Sequence, residues 1–369
     1  MRYYIIAGEA SGDLHGSNLI KSLKKFDRKA KFRAWGGNLM KSAGAEIVKH
    51  YKDLAFMGFW EVILNIIKIY NNLNLCKKDL ISFSPDCVIF IDYPGFNLRI
   101  ANWAKAKGID THYYISPQIW AWKESRIKQI KNNIDHLHVI LPFEKKFYEV
   151  KHQTPVNFVG HPLIDAIAEH TKFEKKSILK KFDLNEKPVI ALLPGSRKQE
   201  INKSLKIMLS VIENFPNYQF VVAATENQPE TFYQFLAKIK NLKFVTGSTY
   251  ELLSVAKASV VMSGTATLES ALFGVPQVVC YKSSWLSYQI GKRLIKLKHI
   301  SLVNLIMEKE VVCELIQNDF NKKRLTRELK KILTDAEQKK IKADYKMLNQ
   351  KLGGPGASRK TAELIFKSL

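Results

Sequence analysis

Short runs of β-branched and aromatic residues alternate with longer segments of helical period along most of the 369-residue chain. Such runs, bounded by Gly, Pro, Asn or Asp, are typical of buried strands. A regular alternation of strand and helix predicts βα units and parallel sheets. The predicted strands cover residues 3–7, 31–35, 46–48, 87–91, 110–114 and 136–140 in the first half, and 189–193, 219–223, 243–245, 258–262 and 277–281 in the second. We therefore expect an α/β protein with two Rossmann-like domains.

Glycine and proline residues mark the predicted domain boundaries. A Gly-His-Pro sequence at residues 160–162 follows a short predicted strand and interrupts regular structure. We place the join there, with a first domain over residues 1–162 and a second domain over residues 163–345. The basic tail is broken at residues 353–356 before a last helix. Residues 346–369 are expected to pack back on the first domain or to be exchanged between the subunits of a homodimer.

Composition limits the possible partners and location of the protein. The 58 Lys and Arg residues against 34 Asp and Glu give a formal net charge of +24, which attracts nucleic acid, anionic lipid or phosphorylated substrates. No apolar stretch reaches the roughly 18 residues of a membrane span, and the N-terminal run is too short for a signal peptide. The four cysteines lack metal-ligand spacing. These features indicate a cytoplasmic protein that contacts membranes only peripherally.

The segment from Ser263 to Pro276 lies between two predicted strands and consists of a glycine turn followed by a helix. Backbone N–H groups at a helix N-terminus attract anions, so the Ser263-Gly264-Thr265 turn is a candidate diphosphate site. Glu269 lies about one helical turn further on, where a carboxylate could accept hydrogen bonds from both hydroxyls of a ribose. The pattern indicates a nucleoside diphosphate site. A capped helix with an exposed Glu269 would show the same pattern.

Two loops of the first half follow predicted strands, at the edge where open parallel sheets bind ligands. The loop Gly8-Glu9-Ala10-Ser11-Gly12-Asp13 allows close backbone approach to a phosphate or a sugar hydroxyl, although Ser11 or Asp13 could instead cap the next helix. Asp92 ends another strand and is a candidate general base, with helix capping as the alternative. Both loops are therefore candidate ligand-binding sites.

Two further loops carry aromatic or basic side chains. Trp120 and Trp122 could stack on a sugar or line an acyl channel, and core packing would also explain them. Arg197 follows Pro194-Gly195-Ser196 and offers a planar fork for phosphate oxygens, with a solvated arginine as the alternative. These loops are candidates for contact with a sugar, an acyl chain or a phosphate.

Residues 56–70 are too apolar for a plain surface helix and too short to span a bilayer. Such a segment in a basic protein is typical of contact with acyl chains and anionic lipid. A helix covered on both sides by the core would have a similar composition. The candidate acyl and membrane contacts are Phe59, Trp60, Ile63, Ile66, Ile67 and Tyr70.

Together the motifs resemble those of the lipid-A-disaccharide synthases, inverting glycosyltransferases of the GT-B fold, in which two Rossmann-like domains face a cleft. The resemblance covers nearly the whole chain, and six blocks occur in the order of the family. The blocks are Gly8-Glu9-Ala10-Ser11-Gly12-Asp13, Asp92-x-Pro94 with Phe96-Asn97, Ser116-Pro117 with Trp120-Ala121-Trp122, Gly160-His161-Pro162, Leu193-Pro194-Gly195-Ser196-Arg197, and Ser263-Gly264-Thr265 with Glu269.

The resemblance implies transfer of a diacylated glucosamine from UDP to the 6-hydroxyl of diacylglucosamine 1-phosphate, giving a β-1,6-linked disaccharide and UDP. This is a step in the synthesis of lipid A in Gram-negative bacteria, and it implies a protein at the inner face of the inner membrane, without a nucleic-acid partner. No Asp-x-Asp triplet occurs in the chain, so we expect neither a metal clamp nor a cofactor. Helix dipoles and an arginine would stabilise the departing diphosphate instead.

The resemblance also assigns roles to individual residues. UDP would lie on the second domain, with Glu269 on the ribose and Arg197 beside the leaving group, and the acceptor would lie on the first domain. The implied catalytic residues are Asp92, Arg197 and Asp13. The implied substrate-binding residues are Glu9, Ser11, Gly12, Asn97, Trp120, Trp122, His161, Gly195, Ser196, Ser263, Gly264, Thr265 and Glu269.

One position departs from the family pattern and affects the assignment of the general base. Many members have the sequence Asp-x-Pro-Asp-Phe-Asn, and Gly95 stands here in place of the second aspartate, the favoured base. Asp92 is the nearest remaining carboxylate, and Asp13 and Glu9 are the alternative candidates.

Other functions stay open as well. A GT-B transferase with a polyprenyl acceptor or a UDP-sugar 2-epimerase would use the same nucleotide site, and a nucleic-acid-binding protein would explain the charge.

Overall fold

The computed structural model describes residues 1–54, 66–168, 173–225, 228–284, 288–289 and 298–369. The chain forms two compact units, the first made of Met1–Ala166 with Leu352–Leu369 and the second of Ile167–Lys351. The expected boundary between residues 345 and 346 falls inside a continuous helix, Asp335–Lys351. The C-terminal part of the first unit therefore begins only where this helix has ended.

The first unit contains a seven-stranded sheet in the order β3-β2-β1-β4-β5-β6-β7, and every pairing in it is parallel. Strand β1 is an interior strand, which pairs with β2 on one side and with β4 on the other. The strands are β1 (Arg2–Ala7), β2 (Lys31–Gly36), β3 (Glu46–His50), β4 (Cys87–Ile91), β5 (Asp110–Tyr114), β6 (His136–Val139) and β7 (Asn157–Phe158).

The second unit contains a six-stranded parallel sheet in the order β10-β9-β8-β11-β12-β13. Its last strand was missed by the sequence analysis, because Cys313–Ile316 is short and interrupted by a glutamate. The strands are β8 (Val189–Leu193), β9 (Gln219–Ala224), β10 (Leu242–Thr246), β11 (Ala256–Met262), β12 (Gln277–Tyr281) and β13 (Cys313–Ile316).

Helices connect most of the strands, since parallel strands need crossover connections, which are usually helical. None of the described helices combines the length and apolarity needed to cross a bilayer. The α-helices are α1 (Ala10–Phe26), α2 (Asn38–Ser42), α3 (Ile66–Phe83), α4 (Pro94–Ala106), α5 (Ile127–Asn133), α6 (Pro142–Lys146), α7 (Pro162–Ala168), α8 (Lys175–Lys181), α9 (Lys198–Leu209), α10 (Thr249–Val255), α11 (Thr265–Leu272), α12 (Leu302–Met307), α13 (Lys322–Ile332), α14 (Asp335–Lys351) and α15 (Ala357–Ser368).

The central strands are buried on both faces, which explains why they were recognisable as continuous apolar runs. All five residues of β4 and all five residues of β8 are buried. Inside the first core the indole N–H of Trp35 donates to the hydroxyl of Tyr4 at 2.8 Å, and this hydroxyl donates to Asp79 at 2.7 Å. The expected fold class, two parallel-sheet α/β domains, is confirmed.

Helix α15 belongs to the first unit of its own chain. The Asp165 carboxylate accepts hydrogen bonds from the backbone N–H groups of Gly356 at 2.5 Å and of Ser358 at 3.0 Å, which caps the N-terminus of the helix. Further along, the ring of Phe366 stacks on that of Phe26 of α1 with centroids 6.1 Å apart. These contacts hold the last helix against α7 through Asp165 and against α1 through Phe26.

Candidate functional site

Each sheet has one switch point, where the chain changes the direction in which it adds strands. In the first sheet it lies between β1 and β4, and in the second between β8 and β11. Open α/β sheets bind ligands beside the carboxyl ends of the strands at such points. The loops after these four strands are therefore the candidate site of each unit, and they contain four of the six motifs singled out in the sequence.

The first switch point is closely packed around Gly8. A Cβ atom at this position would lie 2.3 Å from Cγ of the Tyr93 ring, so only glycine fits here. The hydroxyl of Tyr93 donates to the carbonyl of Leu54 at 3.2 Å, which fixes the ring. The loops after β1 and β4 are thus packed tightly against each other.

The backbone of Asp92 is held in an uncommon conformation. Asp92 and Tyr93 have φ values of +44° and +49°, in the left-handed region that few non-glycine residues adopt. The Asn97 side-chain amide donates to the carbonyl of Asp92 at 2.7 Å, and the hydroxyl of Tyr113 donates to the same oxygen at 2.5 Å. Strain of this kind persists where the surroundings enforce it, and it is concentrated at functional sites.

The carboxyl group of Asp92 has the properties of a base. The residue is exposed, but neighbouring protein atoms keep part of the water away from the carboxyl group and so raise its pKa to about 6. The negative charge of Glu9 makes a smaller contribution in the same direction. The backbone N–H of Tyr93 opposes this shift by hydrogen bonding to the carboxylate. A carboxylate with a pKa near 6 is deprotonated at neutral pH and accepts a proton more readily than an ordinary aspartate.

Asp13 has a different environment, which argues against its predicted catalytic role. The side chain is buried, and its Oδ1 accepts hydrogen bonds from the N–H groups of Gly37 at 2.8 Å and Met40 at 3.0 Å. Its Oδ2 accepts from the N–H of Leu39 at 3.1 Å. Asp13 therefore caps helix α2, and the geometry supports a structural role.

We expect Asp13→Asn to destabilise the protein. An asparagine would face three backbone donors with one carbonyl oxygen, and its own amide would oppose the others. Hydrogen bonds to a charged group contribute about 1.5–3 kcal/mol each when measured by mutation, so we expect the free energy of unfolding to fall by roughly that amount. Chemical denaturation of both proteins measures the change. An unchanged midpoint would contradict the capping role.

Asn97 and His161 also hold the backbone in place. Asn97 is fully buried, and besides Asp92 its amide donates to the carbonyl of Ile91 at 3.3 Å. The ring of His161 is buried, and its Nδ1 accepts from the N–H of Leu163 at 3.2 Å. Burial and the neighbouring His15 lower the pKa of His161 to about 3. Both side chains therefore position loops, and neither presents a polar group to solvent.

The two tryptophans predicted to contact substrate differ in their surroundings. The indole N–H of Trp120 donates to Glu144 at 3.1 Å, and its ring packs edge-on against Phe143. Trp122 is 45% exposed, with Nζ of Lys123 4.6 Å and Cζ of Arg126 5.5 Å from its ring centroid. Trp122 is thus available to a ligand, whereas Trp120 is part of the framework.

Part of the apolar segment is described, and two of its predicted contact residues, Ile67 and Tyr70, are exposed, while the side chain of Ile66 lies outside the described residues. Helix α3 begins at Ile66, and Ile67 and Tyr70 are 76% and 63% exposed. These two side chains lie one helical turn apart and therefore share a face. Phe59, Trp60 and Ile63 lie outside the described residues.

The second switch point begins with the loop after β8. Gly195 has a φ of +99°, and a Cβ on it would approach Oε2 of Glu200 to 3.0 Å. Ser196 and Arg197 are exposed, and Arg197 directly precedes helix α9. Its Nη1 lies 2.9 Å from Oε1 of Glu200. Arginine and the N-terminus of α9 place positive charge at this edge.

The loop after β11 lies beside it, because β8 and β11 are paired. Gly264 precedes helix α11, and a Cβ on this glycine would meet open space. Gly264 and Thr265 are exposed, while the hydroxyl of Ser263 donates to the carbonyl of Ile300 at 2.9 Å. The first N–H groups of a helix lack carbonyl partners in a preceding turn, so they can bind an anion.

Glu269 lies on α11, and its carboxylate accepts a hydrogen bond from another helix. The hydroxyl of Tyr250 donates to Oε1 of Glu269 at 3.2 Å. Burial raises the pKa of Glu269 to about 7, although the hydrogen bond from Tyr250 acts in the opposite direction. Donors such as the two hydroxyls of a ribose would stabilise the ionised form of this carboxylate.

Several residues of the sites were not predicted from the sequence. Tyr93, Tyr113 and Tyr250 position Asp92 and Glu269, and Glu144 anchors the loop that carries Trp120. Tyr93 could have been predicted as a site residue, because it follows Asp92 directly in the sequence. The others lie 19 to 24 residues from their partners and belong to no motif.

The sequence is similar to a known family over nearly its whole length. The model of the lipid-A-disaccharide synthetase family matches residues 3–367. A lipid-A-disaccharide synthase of Syntrophus aciditrophicus (strain SB) is 41% identical over 371 residues, covering 98% of this chain and 96% of the relative. One of Coxiella burnetii (strain Dugway 5J108-111) is 40% identical over 337 residues, covering 90% and 88%.

Solved structures with similar folds have much lower sequence identity. A UDP-GlcNAc 2-epimerase from Neisseria meningitidis, bound to UDP-GlcNAc, has a TM-score of 0.71 at 15% identity, with all of both chains covered. The glycotransferase of kitacinnamycin has a TM-score of 0.67 at 13% identity, covering 100% of this chain and 99% of the other. At this identity the likeness shows the fold alone. The family match decides the membership: the chain belongs to the lipid-A-disaccharide synthetase family, whose members are glycosyltransferases.

Proposed function

We propose that the protein transfers 2,3-diacylglucosamine from UDP to the 6-hydroxyl of 2,3-diacylglucosamine 1-phosphate. The products are the β-1,6-linked disaccharide 1-phosphate and UDP. The family match over residues 3–367 is the observation that carries this proposal, since it implies a UDP-sugar donor and a lipid acceptor. The two switch points then suggest which unit binds which substrate.

The second unit would bind the donor. The first N–H groups of α11 would hold the diphosphate, and Glu269, oriented by Tyr250, would accept hydrogen bonds from the ribose hydroxyls. Arg197 is exposed at the neighbouring loop and would contact the diphosphate as negative charge develops on it. Gly195 and Ser196 allow the backbone to approach the phosphates closely.

The first unit would bind the acceptor, and Asp92 would act as the base. Its carboxylate takes the proton of the 6-hydroxyl while the oxygen attacks C1 of the donor sugar. The bond from C1 to the diphosphate breaks on the opposite side, its electron pair leaves with UDP, and the configuration at C1 inverts. Glu9 and Ser11 are exposed beside Asp92, where they could bind sugar hydroxyls. The pKa of about 6 suits Asp92 to this step.

The protein would bind peripherally to the inner face of the inner membrane, where its acylated substrates reside. The exposed pair Ile67 and Tyr70 supports this proposal, because apolar side chains on one helical face can enter the acyl region of a bilayer. The net charge of +24 would add attraction to anionic lipid. A homodimer formed by exchange of α15 would keep the contacts of Asp165 and Phe26, now made to the other copy.

Glu269→Gln is expected to weaken UDP binding by roughly 10–100-fold, because a neutral amide replaces the charged acceptor of the ribose hydroxyls. Isothermal titration of each protein with UDP measures this effect. Tyr250→Phe should weaken binding less, since it removes only the group that orients the carboxylate. Glu251→Gln is the matched control, because Glu251 lies on α10 next to Tyr250 and pairs with Lys181. Equal affinities for wild type and Glu269→Gln would exclude the ribose contact.

The overall proposal is tested by supplying the purified protein with UDP-2,3-diacylglucosamine in detergent, with the acceptor present or omitted. We expect UDP and disaccharide in equal amounts, and only when 2,3-diacylglucosamine 1-phosphate is present. An epimerase would isomerise the donor sugar without any acceptor. A transferase of another class would accept a polyprenyl-linked sugar in place of the acylated one. Either result would overturn the proposal.

A further inference from the structure

A group of histidine and aspartate side chains lies at the edge of the first sheet opposite to Asp92. Asp110 and His136 are the first residues of β5 and β6, so they lie at the amino ends of their strands. His112 follows Asp110 on the same face of β5, and it is paired directly with His136 across the two strands. The mechanism proposed above uses none of these side chains.

The three side chains converge on a small volume. Nε2 of His112 lies 2.8 Å from Oδ2 of Asp110, and Nε2 of His136 lies 3.6 Å from Oδ1 of the same carboxylate. The three candidate ligand atoms all lie within 4.8 Å of one another. Tetrahedral zinc with ligands at about 2.0–2.1 Å requires ligand atoms about 3.3 Å apart, so small side-chain rotations bring the three into place.

A fourth residue, His138, contacts the ring nitrogen of His112 that does not face Asp110. Its Nε2 lies 3.2 Å from Nδ1 of His112, and the two rings are parallel, 4° apart, with centroids 5.5 Å from each other. His138 is 1% exposed, and its Nδ1 has no hydrogen-bond partner. A histidine that ligates a metal generally donates its second N–H to a neighbouring acceptor. With Nε2 of His112 on a metal, Nδ1–H of His112 donates to His138, which serves as that acceptor.

Charge and access also favour a cation at this place. Asp110 is a carboxylate, and the negative charge of Asp135 acts on His112 as well. The side chains of Asp110 and His136 are 26% and 36% exposed, so an ion and a water ligand can enter from solvent. His112 is fully buried, which fixes its ring in one orientation.

We propose that Asp110, His112 and His136 bind one divalent transition-metal ion, best Zn²⁺, with a water molecule as the fourth ligand. Two imidazoles and one carboxylate form a donor set that Zn²⁺ accepts readily. The ion joins the starts of β5 and β6. Oγ of Ser368 lies 3.5 Å from Nε2 of His112, so it also lies beside the end of α15. The site is a structural clamp on the sheet and on the C-terminal helix, remote in the sheet from the acceptor loops.

The test is calorimetric titration of ZnCl₂ into the full-length protein after dialysis against EDTA and then metal-free buffer. We expect one tight site per chain, and a rise in Tm of several degrees when Zn²⁺ is present in excess. His136→Gln and Asp110→Asn should each weaken the tight site at least tenfold and abolish the Tm rise. His136 is partly exposed, so the metal-free variant should melt at the same temperature as the metal-free wild type.

His50→Gln is the matched control, since His50 lies on β3, away from the cluster, and should leave zinc binding unchanged. Replacement of Zn²⁺ by Co²⁺ adds a spectroscopic readout, because four-coordinate Co²⁺ absorbs strongly in the visible range. Those bands should appear in the wild type and be lost in His136→Gln. Weak binding at several sites in the wild type, or equal affinity in wild type and His136→Gln, would overturn the proposal.

Discussion

Asp92→Asn is expected to lower kcat by roughly 10²–10⁴-fold, the usual contribution of a positioned general base. Asparagine keeps the shape of the side chain and tolerates the left-handed backbone conformation that Asp92 adopts, so the fold should be preserved. The KM for both substrates should change little, because the carboxylate acts on the proton in the transition state. Steady-state kinetics measures the loss, and thermal unfolding checks that the fold is intact.

The pH profile gives an independent test of the same group. The base works only when it is deprotonated, so kcat/KM should fall as the pH decreases through about 6, the pKa of Asp92. The negative charge of Glu9 contributes to that raised value. Glu9→Gln should therefore lower the pKa of Asp92 and move the acid limb of the profile to lower pH. Near wild-type turnover in Asp92→Asn, or an unmoved acid limb in Glu9→Gln, would exclude Asp92 as the base.

Arg197→Ala is expected to lower kcat by roughly 10²–10³-fold, as removal of one group that stabilises developing charge typically does. The guanidinium is 65% exposed and can rearrange towards the departing diphosphate. Arg197→Lys should recover only part of the loss, because an ammonium group cannot bind two phosphate oxygens in the same planar fork. The effect should appear in kcat more than in the affinity for UDP-sugar.

Glu200→Gln is the control for this prediction. Glu200 pairs with Arg197 at 2.9 Å, so a neutral amide leaves the arginine in place and free to contact phosphate. We expect activity close to wild type in this variant. If Arg197→Ala retained full kcat, or if Glu200→Gln were as inactive as Arg197→Ala, the assignment of Arg197 to the leaving group would be wrong.

The strands and the loops that follow them could be predicted from the sequence because both are local features. A buried parallel strand is a continuous apolar run, and Gly264 or Gly195 marks the turn that opens the next helix. β13 was missed because its four residues include Glu314, whose apolar neighbours are too few to form a recognisable run. The expected boundary between residues 345 and 346 lies inside the continuous helix Asp335–Lys351, and nothing in the local sequence at that point separates the two units, which change at Leu352, next to the glycines and proline of residues 353–356.

The roles of individual polar residues depended on contacts between distant parts of the chain. Asp13 occurs in a glycine-rich motif, but its partners Gly37, Leu39 and Met40 lie at the start of helix α2, more than 20 residues away. Tyr250 reaches Glu269 from a different helix. Such pairings are fixed by the packing of one element on another, so the types of residue in a motif could not distinguish a capping carboxylate from a catalytic one.

The division of the substrates between the two switch points is tested most directly by hydrogen–deuterium exchange. Asp92→Asn protein, which should bind without turnover, is measured alone, with UDP, and with 2,3-diacylglucosamine 1-phosphate in detergent. We predict that UDP slows exchange in residues 194–200 and 263–269, and that the acceptor slows it in residues 8–13 and 92–97. Protection of the first unit by UDP, or protection of the same loops by both ligands, would contradict the account.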